Sequence, residues 1–115
     1  APRPHNSGHL SIETCKTSQF QQHIRSVFNL KLGNTEHDGH AIMLNLVGDE
    51  NYSGKVLYEN LDSAFQIQNA NLHIYGKNET RPNRKMGHIT IICNNFDEGY
   101  HSAKLLKSKI KIKSK

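Results

Sequence analysis

The sequence predicts an α+β fold, because two segments of helical periodicity flank a central group of strands along its 115 residues. Two stretches, residues 18–29 and 96–110, repeat apolar side chains every three or four positions, which is typical of amphipathic helices. Between them, residues 71–77 and 87–93 alternate apolar and polar side chains, which is the period of a half-buried strand. With a hydrophobic content of 35%, the chain can form one small domain or part of a larger protein.

The first helix is predicted over residues 18–29, and residues 1–16 before it have the composition of a loop or irregular extended chain. Ser18 as N-cap with Gln21 three positions later forms a capping-box pattern, and Gly33 offers a C-terminal stop. The apolar stripe of this helix consists of Phe20, Ile24, Val27 and Phe28.

The centre of the chain is predicted to be mostly strands. The run "AIMLNLVG", residues 41–48, fits a buried strand or a short core helix, and its flanking turn residues favour the strand. Apolar spacing within residues 55–68 predicts a short helix. The alternating stretches 71–77 and 87–93 are joined by the turn-rich "KNETRPNR", so an antiparallel hairpin is expected there.

The second long helix is predicted to begin at Phe96, after Asn95 as N-cap, with acidic residues in its first turn and lysines in its last. Its apolar positions are Phe96, Tyr100, Ala103, Leu106 and Ile110. The final segment "KIKIKSK" is expected to fray.

Charge and cysteine content exclude several classes of protein. The net charge is +5, but six of the 15 cations are lysines between residues 104 and 115, so the rest of the chain is close to neutral. Cys15 and Cys93 form no C-x-x-C pattern, so neither a disulfide framework nor a zinc site is expected, and a reducing cytoplasm fits best. No apolar run approaches the roughly 20 residues that a membrane span needs.

A first candidate site is a cluster of cations at the end of the predicted hairpin. Arginine guanidinium groups match phosphate oxygens two at a time, lysine adds a point charge, and Pro82 would stiffen the turn. The pattern indicates a phosphate or carboxylate site, although a solvated charged loop is the commoner meaning of such a hairpin tip. The cluster consists of Lys77, Arg81, Arg84 and Lys85.

A second candidate is the N-terminal "APRPHNSGH", a dense polar run that is costly to order unless a ligand satisfies it. Its candidate residues are Arg3, His5, Asn6 and Ser7. The alternative is a flexible, cut terminus with scattered histidines. The eight histidines of the chain show no metal-ligand spacing, so they are interpreted as surface residues, and no metal site is predicted from them.

Taken in order, these segments resemble the C-terminal portion of the 5-(carboxyamino)imidazole ribonucleotide synthase family, the ATP-grasp enzymes of bacterial and fungal purine biosynthesis. "APRPHNSGH" resembles the family's segment after a magnesium-binding glutamate, and "TSQFQQHIRSV" resembles its "TSQFE-x-H-x-R" helix. "HIYGKNETRPNRKMGHIT" resembles its "YGK…RP-x-RK-x-GH" hairpin, and "MLNLVG" also fits. Each motif is modest alone, but their ordered combination spans most of the chain and is specific.

The resemblance implies a ligase that uses ATP to convert bicarbonate to carboxyphosphate and transfers the carboxyl group, by way of carbon dioxide, to 5-aminoimidazole ribonucleotide. Lys77 and Arg84 are then expected to bind the 5′-phosphate of the ribonucleotide, with Arg81 and Lys85 as close supports. The catalytic candidates facing the bicarbonate or carboxyphosphate are Arg3 and His5, and the residues expected to shape that floor are Asn6 and Ser7.

The resemblance also implies a domain division. Residues 1–33 would be the end of an ATP-grasp domain, and residues 34–115 a small β-rich domain of the biotin-carboxylase C-terminal type with a terminal helix and basic tail. ATP and Mg²⁺ would be bound mainly by parts absent from this chain, with an acidic metal ligand expected just before Ala1. We therefore expect a fragment, inactive alone, of a cytoplasmic enzyme that is a homodimer and binds neither nucleic acid nor membrane.

Two other functions fit parts of the sequence. Another ATP-grasp ligase of phosphoribosyl substrates, similar to glycinamide ribonucleotide formyltransferase, would share the architecture but not the "YGK…RP-x-RK" spacing. A small basic nucleic-acid-binding module would use the lysine tail, but the tail lacks aromatic residues interleaved with its charge.

Overall fold

The computed structural model describes residues 2–115, which form a small α+β structure with two antiparallel sheets. The helices are α1 (Ser11–Thr14), α2 (Gln19–Val27) and α3 (Phe96–Lys109), and short 3₁₀ helices span Asn6–Leu10 and Leu61–Gln66. The strands are β1 (His40–Val47), β2 (Gly54–Glu59), β3 (Ala70–Ile74), β4 (Glu79–Thr80), β5 (Lys85–Cys93) and β6 (Lys111–Ser114).

The N-terminal segment is helical, so the expectation of a loop over residues 1–16 was wrong for most of its length. The 3₁₀ helix Asn6–Leu10 continues directly into α1. Side-chain hydroxyls stabilise these turns, because Ser11 Oγ donates to the Gly8 carbonyl at 2.6 Å and Thr14 Oγ1 to the Leu10 carbonyl at 2.7 Å. Short polar turns carry no apolar periodicity, which is why the sequence pattern missed them.

Helix α2 confirms the predicted helix and its capping box. The Gln21 amide donates to Ser18 Oγ, and the Ser18 amide donates to the Gln21 side chain. The predicted stop at Gly33 was wrong, because the helix already ends at Val27 and Asn29 takes the left-handed conformation, with φ 52°.

The larger sheet has the strand order β1-β5-β3 and confirms the predicted strand at residues 41–48 and the predicted hairpin. Helix α3, capped by Asn95 as predicted, packs against one face of β1 and β5. On that side Ile89 and Ile91 are buried together with Leu106. The N-terminal segment covers the opposite face, so that β5 is enclosed on both sides.

The smaller sheet has the strand order β4-β2-β6. Its short strand β4 lies inside the connection of the β3–β5 hairpin and pairs with β2, so the hairpin end is tied to both sheets. The helix predicted within residues 55–68 was partly right, because β2 takes up the first part and the 3₁₀ helix Leu61–Gln66 the second.

The C-terminal tail does not fray, so that expectation was wrong. β6 pairs antiparallel with β2, and the Lys115 amide donates to the Lys55 carbonyl at 2.9 Å. Ile110 and Ile112 are 6% and 2% exposed within the core. The alternating lysines and isoleucines are therefore a strand with one apolar face, and this face becomes stable only because β2 and the core accept it.

Within residues 2–115, no helix is both long enough and apolar enough to cross a bilayer. Cys15 and Cys93 are both free thiols.

Candidate functional site

An open cavity of about 560 Å³ joins the N-terminal segment to the end of the β3–β5 hairpin. Its lining residues are Arg3, Pro4, His5, Asn6, Ser7 and Lys85. Five predicted site residues from opposite parts of the sequence therefore face one space. Its volume lies in the range of small-molecule sites.

The hairpin end is held in place by a close backbone approach that the sequence did not reveal. The Gly48 amide donates to the Arg84 carbonyl at 2.9 Å, and the Asn83 amide donates to the Gly48 carbonyl at 2.9 Å. A Cβ atom at Gly48 would lie 2.2 Å from the Arg81 carbonyl oxygen, so only glycine permits this contact. Asn83, with φ 62°, supplies the left-handed residue of the turn.

The four hairpin cations do not all point to the same place. Lys85 lines the cavity, whereas Lys77, Arg81 and Arg84 are not among its lining residues. Lys77 Nζ donates to the Lys85 carbonyl at 2.6 Å, and one Arg84 guanidinium nitrogen donates to the Glu79 carbonyl at 3.0 Å. These two side chains therefore also hold the backbone that presents Lys85. Their predicted role in binding the phosphate stays a prediction.

The cations around the cavity form no ion pair with the part of the chain that the structure describes. Within residues 2–115, the ion pairs are Lys16–Asp38, His73–Glu13 and Lys113–Glu59, and none of them includes a residue of the cavity or the hairpin cluster. Among the described residues 2–115, no carboxylate lines the cavity. Because Arg3 and Lys85 have the same charge, a bound anion would offset the repulsion between them. The cavity therefore favours phosphate, bicarbonate or a related anion as its ligand over a cation.

Between the N-terminal segment and the larger sheet lies a cluster of aromatic and histidine rings that sequence patterns did not predict. The ring centroids of His9 and His88 are 4.6 Å apart. The His73 ring stacks on the His88 ring, with their centroids 4.5 Å apart. Tyr75 Oη and His88 Nδ1 share a 2.8 Å hydrogen bond. His73 Nε2 donates to Glu13 Oε1.

The interpretation of all histidines as surface residues was wrong for His88, which is 1% exposed. Burial, followed by the neighbouring His73 and His9, lowers the pKa of His88 to about 4, and Glu13 opposes this shift. The signal was present in the sequence, because His88 directly precedes the apolar part of a strand that is buried on both faces.

A second cavity, about 450 Å³, lies between β1 and α3. Its walls include Ile42, Leu44 and Ala103, with Lys104 and Lys107 at its rim, and none of the predicted site residues reaches it. Among the residues that the structure describes, no group of three histidine, cysteine or acidic side chains could hold a metal ion.

These features define a small α+β domain whose two antiparallel sheets and terminal helix support a cation-lined cavity. The family profile described as "Phosphoribosylaminoimidazole carboxylase C-terminal domain" matches residues 41–101. That match covers more than half of the chain, and the chain belongs to this family.

Individual relatives agree with this family. The chain is 48% identical over 98 residues to the N5-carboxyaminoimidazole ribonucleotide synthase of Bacillus subtilis, covering 85% of this chain and 24% of the relative. It is 46% identical over 105 residues to the phosphoribosylaminoimidazole carboxylase of Schizosaccharomyces pombe, covering 85% of this chain and 18% of the relative. The chain thus spans about a quarter or less of the length of these relatives.

Solved structures are similar over most of the chain. The N5-carboxyaminoimidazole ribonucleotide synthetase of Thermotoga maritima matches with a TM-score of 0.95 at 50% identity, covering 100% of this chain and 32% of that one. The Aspergillus clavatus N5-carboxyaminoimidazole synthase, solved with ADP and 5-aminoimidazole ribonucleotide, matches with a TM-score of 0.76 at 34% identity, covering 92% and 28%.

Proposed function

We propose that the full-length protein containing this chain is an ATP-dependent ligase that carboxylates 5-aminoimidazole ribonucleotide with bicarbonate in purine biosynthesis. The observation that carries the proposal is the cavity in which N-terminal Arg3 and His5 meet Lys85 of the hairpin. Similarity to synthases of N5-carboxyaminoimidazole ribonucleotide supports the choice of reaction. ATP phosphorylates bicarbonate to carboxyphosphate, the exocyclic amine of the ribonucleotide takes the carboxyl group, and ADP and phosphate leave.

The chain's own residues would act by positioning and by charge. Lys85 at the cavity, supported by Lys77 and Arg84, offsets the 5′-phosphate of the ribonucleotide. Arg3 and His5 face the bicarbonate or carboxyphosphate and stabilise the charge that develops on its oxygens. Asn6 and Ser7 shape the floor of the bicarbonate site, and Arg81 is a nearby support for the phosphate-binding residues.

The cavity does not fit a magnesium site, because none of its described lining residues carries a carboxylate and Mg²⁺ usually binds one or two carboxylates. In the proposed enzyme, Mg²⁺ and ATP are therefore held mainly by other parts of the protein, and the residues of this chain act on the anionic groups alone.

The proposal extends to the organisation of the protein. Residues 1–33 would close an ATP-grasp domain, and residues 34–115 would be the small domain of the biotin-carboxylase C-terminal type. The family match at residues 41–101 lies inside the second part and supports this division. A homodimer in the cytoplasm is proposed from the family resemblance alone.

Substrate-dependent ATP hydrolysis tests the proposal directly. The purified full-length protein should hydrolyse ATP rapidly only when 5-aminoimidazole ribonucleotide and bicarbonate are both present, because carboxyphosphate forms productively only in the complete site. Release of phosphate is the measurement. The proposal is wrong if hydrolysis is the same without the ribonucleotide, or if glycinamide ribonucleotide replaces it.

A variant of Lys85 tests the cavity itself. Lys85→Ala in the full-length protein should lower kcat/KM for the ribonucleotide about ten- to hundredfold, or roughly 1.5–3 kcal/mol, through loss of a charge-assisted contact. Arg84→Ala should act in the same direction, although it also removes the hydrogen bond to the Glu79 carbonyl. Lys104→Ala, at the rim of the other cavity, is the matched control. Equal kinetics for Lys85→Ala and the control would remove Lys85 from the site.

A further inference from the structure

Three polar side chains form one row across the larger sheet. Asn45 on β1 lies directly opposite His88 on β5, and His88 lies directly opposite His73 on β3. Residues that are directly opposite in a sheet point to the same face, so all three project away from α3 and towards the N-terminal segment.

The N-terminal segment presents a matching stripe. Asn6, His9 and Glu13 are three and four positions apart on the continuous helical stretch formed by the 3₁₀ helix and α1. That spacing places them on one side of the helical stretch.

The stripe and the row meet residue by residue. Asn6 Nδ2 donates to Asn45 Oδ1 at 2.8 Å, and the His9 ring lies against the His88 ring with centroids 4.6 Å apart. At the far end, Glu13 Oε1 accepts from His73 Nε2, and the Glu13 side chain is 15% exposed.

The contact between the stripe and the row also fixes the position of the cavity walls. Asn6 is both a stripe residue and a lining residue of the cavity, and Arg3 and His5 lie directly before it. On the other side, β3 and β5 carry His73 and His88 and lead to the hairpin end. A shift of the stripe by one residue would break all three contacts and move one wall of the cavity relative to the other.

We propose that the row Asn45–His88–His73 is a positioning device, which sets the N-terminal residues that act on bicarbonate at a fixed distance from the hairpin that binds the ribonucleotide. The inference rests on the proposed function and deepens it, because it assigns a role to residues that do not line the cavity. His73, His88 and Glu13 are then positioning residues for the reaction.

The test is to remove the hydrogen bond between Glu13 and His73 in the full-length protein. Glu13→Gln and His73→Gln keep the size of the side chain or nearly so, and each removes one partner of the carboxylate–imidazole hydrogen bond. Each variant should lower kcat/KM for the ribonucleotide at least tenfold while the melting temperature stays close to that of the wild type. The double variant should show no larger decrease in kcat/KM than either single variant. The exchanged pair Glu13→His with His73→Glu should regain most of the activity.

The matched control is Glu59→Gln, which breaks the Lys113–Glu59 pair on the smaller sheet and should leave kinetics unchanged. Amide hydrogen exchange of residues 6–14, measured without substrates, gives a readout independent of catalysis. It should rise about tenfold or more in His73→Gln and stay constant in Glu59→Gln.

The possible outcomes separate the two proposals. Unchanged exchange and unchanged kinetics in Glu13→Gln and His73→Gln, in a wild type that carboxylates the ribonucleotide, overturn the positioning device alone. A wild type without ribonucleotide-dependent activity overturns the proposed function and with it the role of the row in catalysis, whatever the exchange shows.

Discussion

His88 is the residue with the most unusual environment in the molecule. It lies in the middle sheet strand at 1% exposure, and its Nε2 has no hydrogen-bond partner within residues 2–115. A charged imidazolium there would lose its hydration without gaining a paired anion, so the ring stays neutral well below the usual pKa of histidine.

This environment predicts a pH dependence of stability. The groups that face His88 are His9 and Glu13 from the N-terminal segment, His73 from β3, and Tyr75 directly after β3. The unfolded chain protonates His88 at a pKa of about 6.5, whereas the folded protein does so at about 4. The contribution of His88 to the free energy of unfolding is therefore fully present above pH 6.5. It decreases by about 3 kcal/mol as the pH falls towards 4. Urea unfolding at several pH values measures it.

The variant His88→Asn isolates the pH dependence caused by His88. The other titratable groups of the cluster remain, and only the His88 part of the dependence of unfolding free energy on pH disappears. Its free energy of unfolding should fall less between pH 6.5 and 4 than that of the wild type. His101→Asn, at an exposed position of α3, should keep the wild-type slope. A variant curve parallel to the wild type over this range would contradict the prediction.

At the scale of elements, β6 fixes the C-terminal end of the chain to the smaller sheet and the core. It completes the smaller sheet beside β2, and Ile112 inserts into the core that both sheets share with α3. A segment of lysines and isoleucines therefore acts as a structural strand, and its backbone is not a free arm.

Truncation of one side chain tests this structural role. Ile112→Ala should destabilise the protein by about 2–5 kcal/mol, because a fully buried side chain leaves a cavity in the core. Denaturant unfolding is the measurement. Lys115→Ala, an exposed position at the end of the same segment, should change stability little. If both variants unfold at the same denaturant concentration, the tail is frayed after all.

The hairpin illustrates what an element-level prediction can and cannot supply. Alternation and turn residues were sufficient to predict β3 and β5, and both strands are present. The prediction could not include β4, because two residues become a strand only where β2 offers them hydrogen-bond partners. Nor could it include the contact of Gly48 with the 81–84 turn, which joins residues more than 30 positions apart.

On the scale of the whole molecule, an apolar stripe remains uncovered beside the N-terminal segment. α2 buries none of its residues fully, and its hydrophobic side chains other than Phe20 are exposed together with those of the segment that follows. The stripe consists of Ile24, Val27, Phe28, Leu30 and Leu32, which are 56–71% exposed. Contiguous apolar surface of this kind is typical of a contact face or of a tendency to self-associate.

We therefore expect the isolated 115-residue chain to bind a hydrophobic dye and to scatter light at high concentration. Val27→Lys should reduce both signals and leave the melting temperature nearly unchanged, because Val27 is already 66% exposed. Phe65→Lys makes the same charge change at a 75% exposed position outside the stripe and should have the smaller effect. Equal reductions by both variants would show that net charge alone controls association.

The sequence by itself determined the local features: the capping box of α2, the alternation of β3 and β5, the cap of α3, and the residue types of the proposed anion site. These depend on neighbours within a few positions, so they can be predicted from order along the chain. Only the tertiary structure decided that Lys85 lines the cavity while Lys77 and Arg84 hold its backbone, that the tail is a strand, and that Asn45, His88 and His73 meet one helical stripe. Each of these depends on contacts between segments far apart in sequence, whose relative positions are set by packing and not by local pattern.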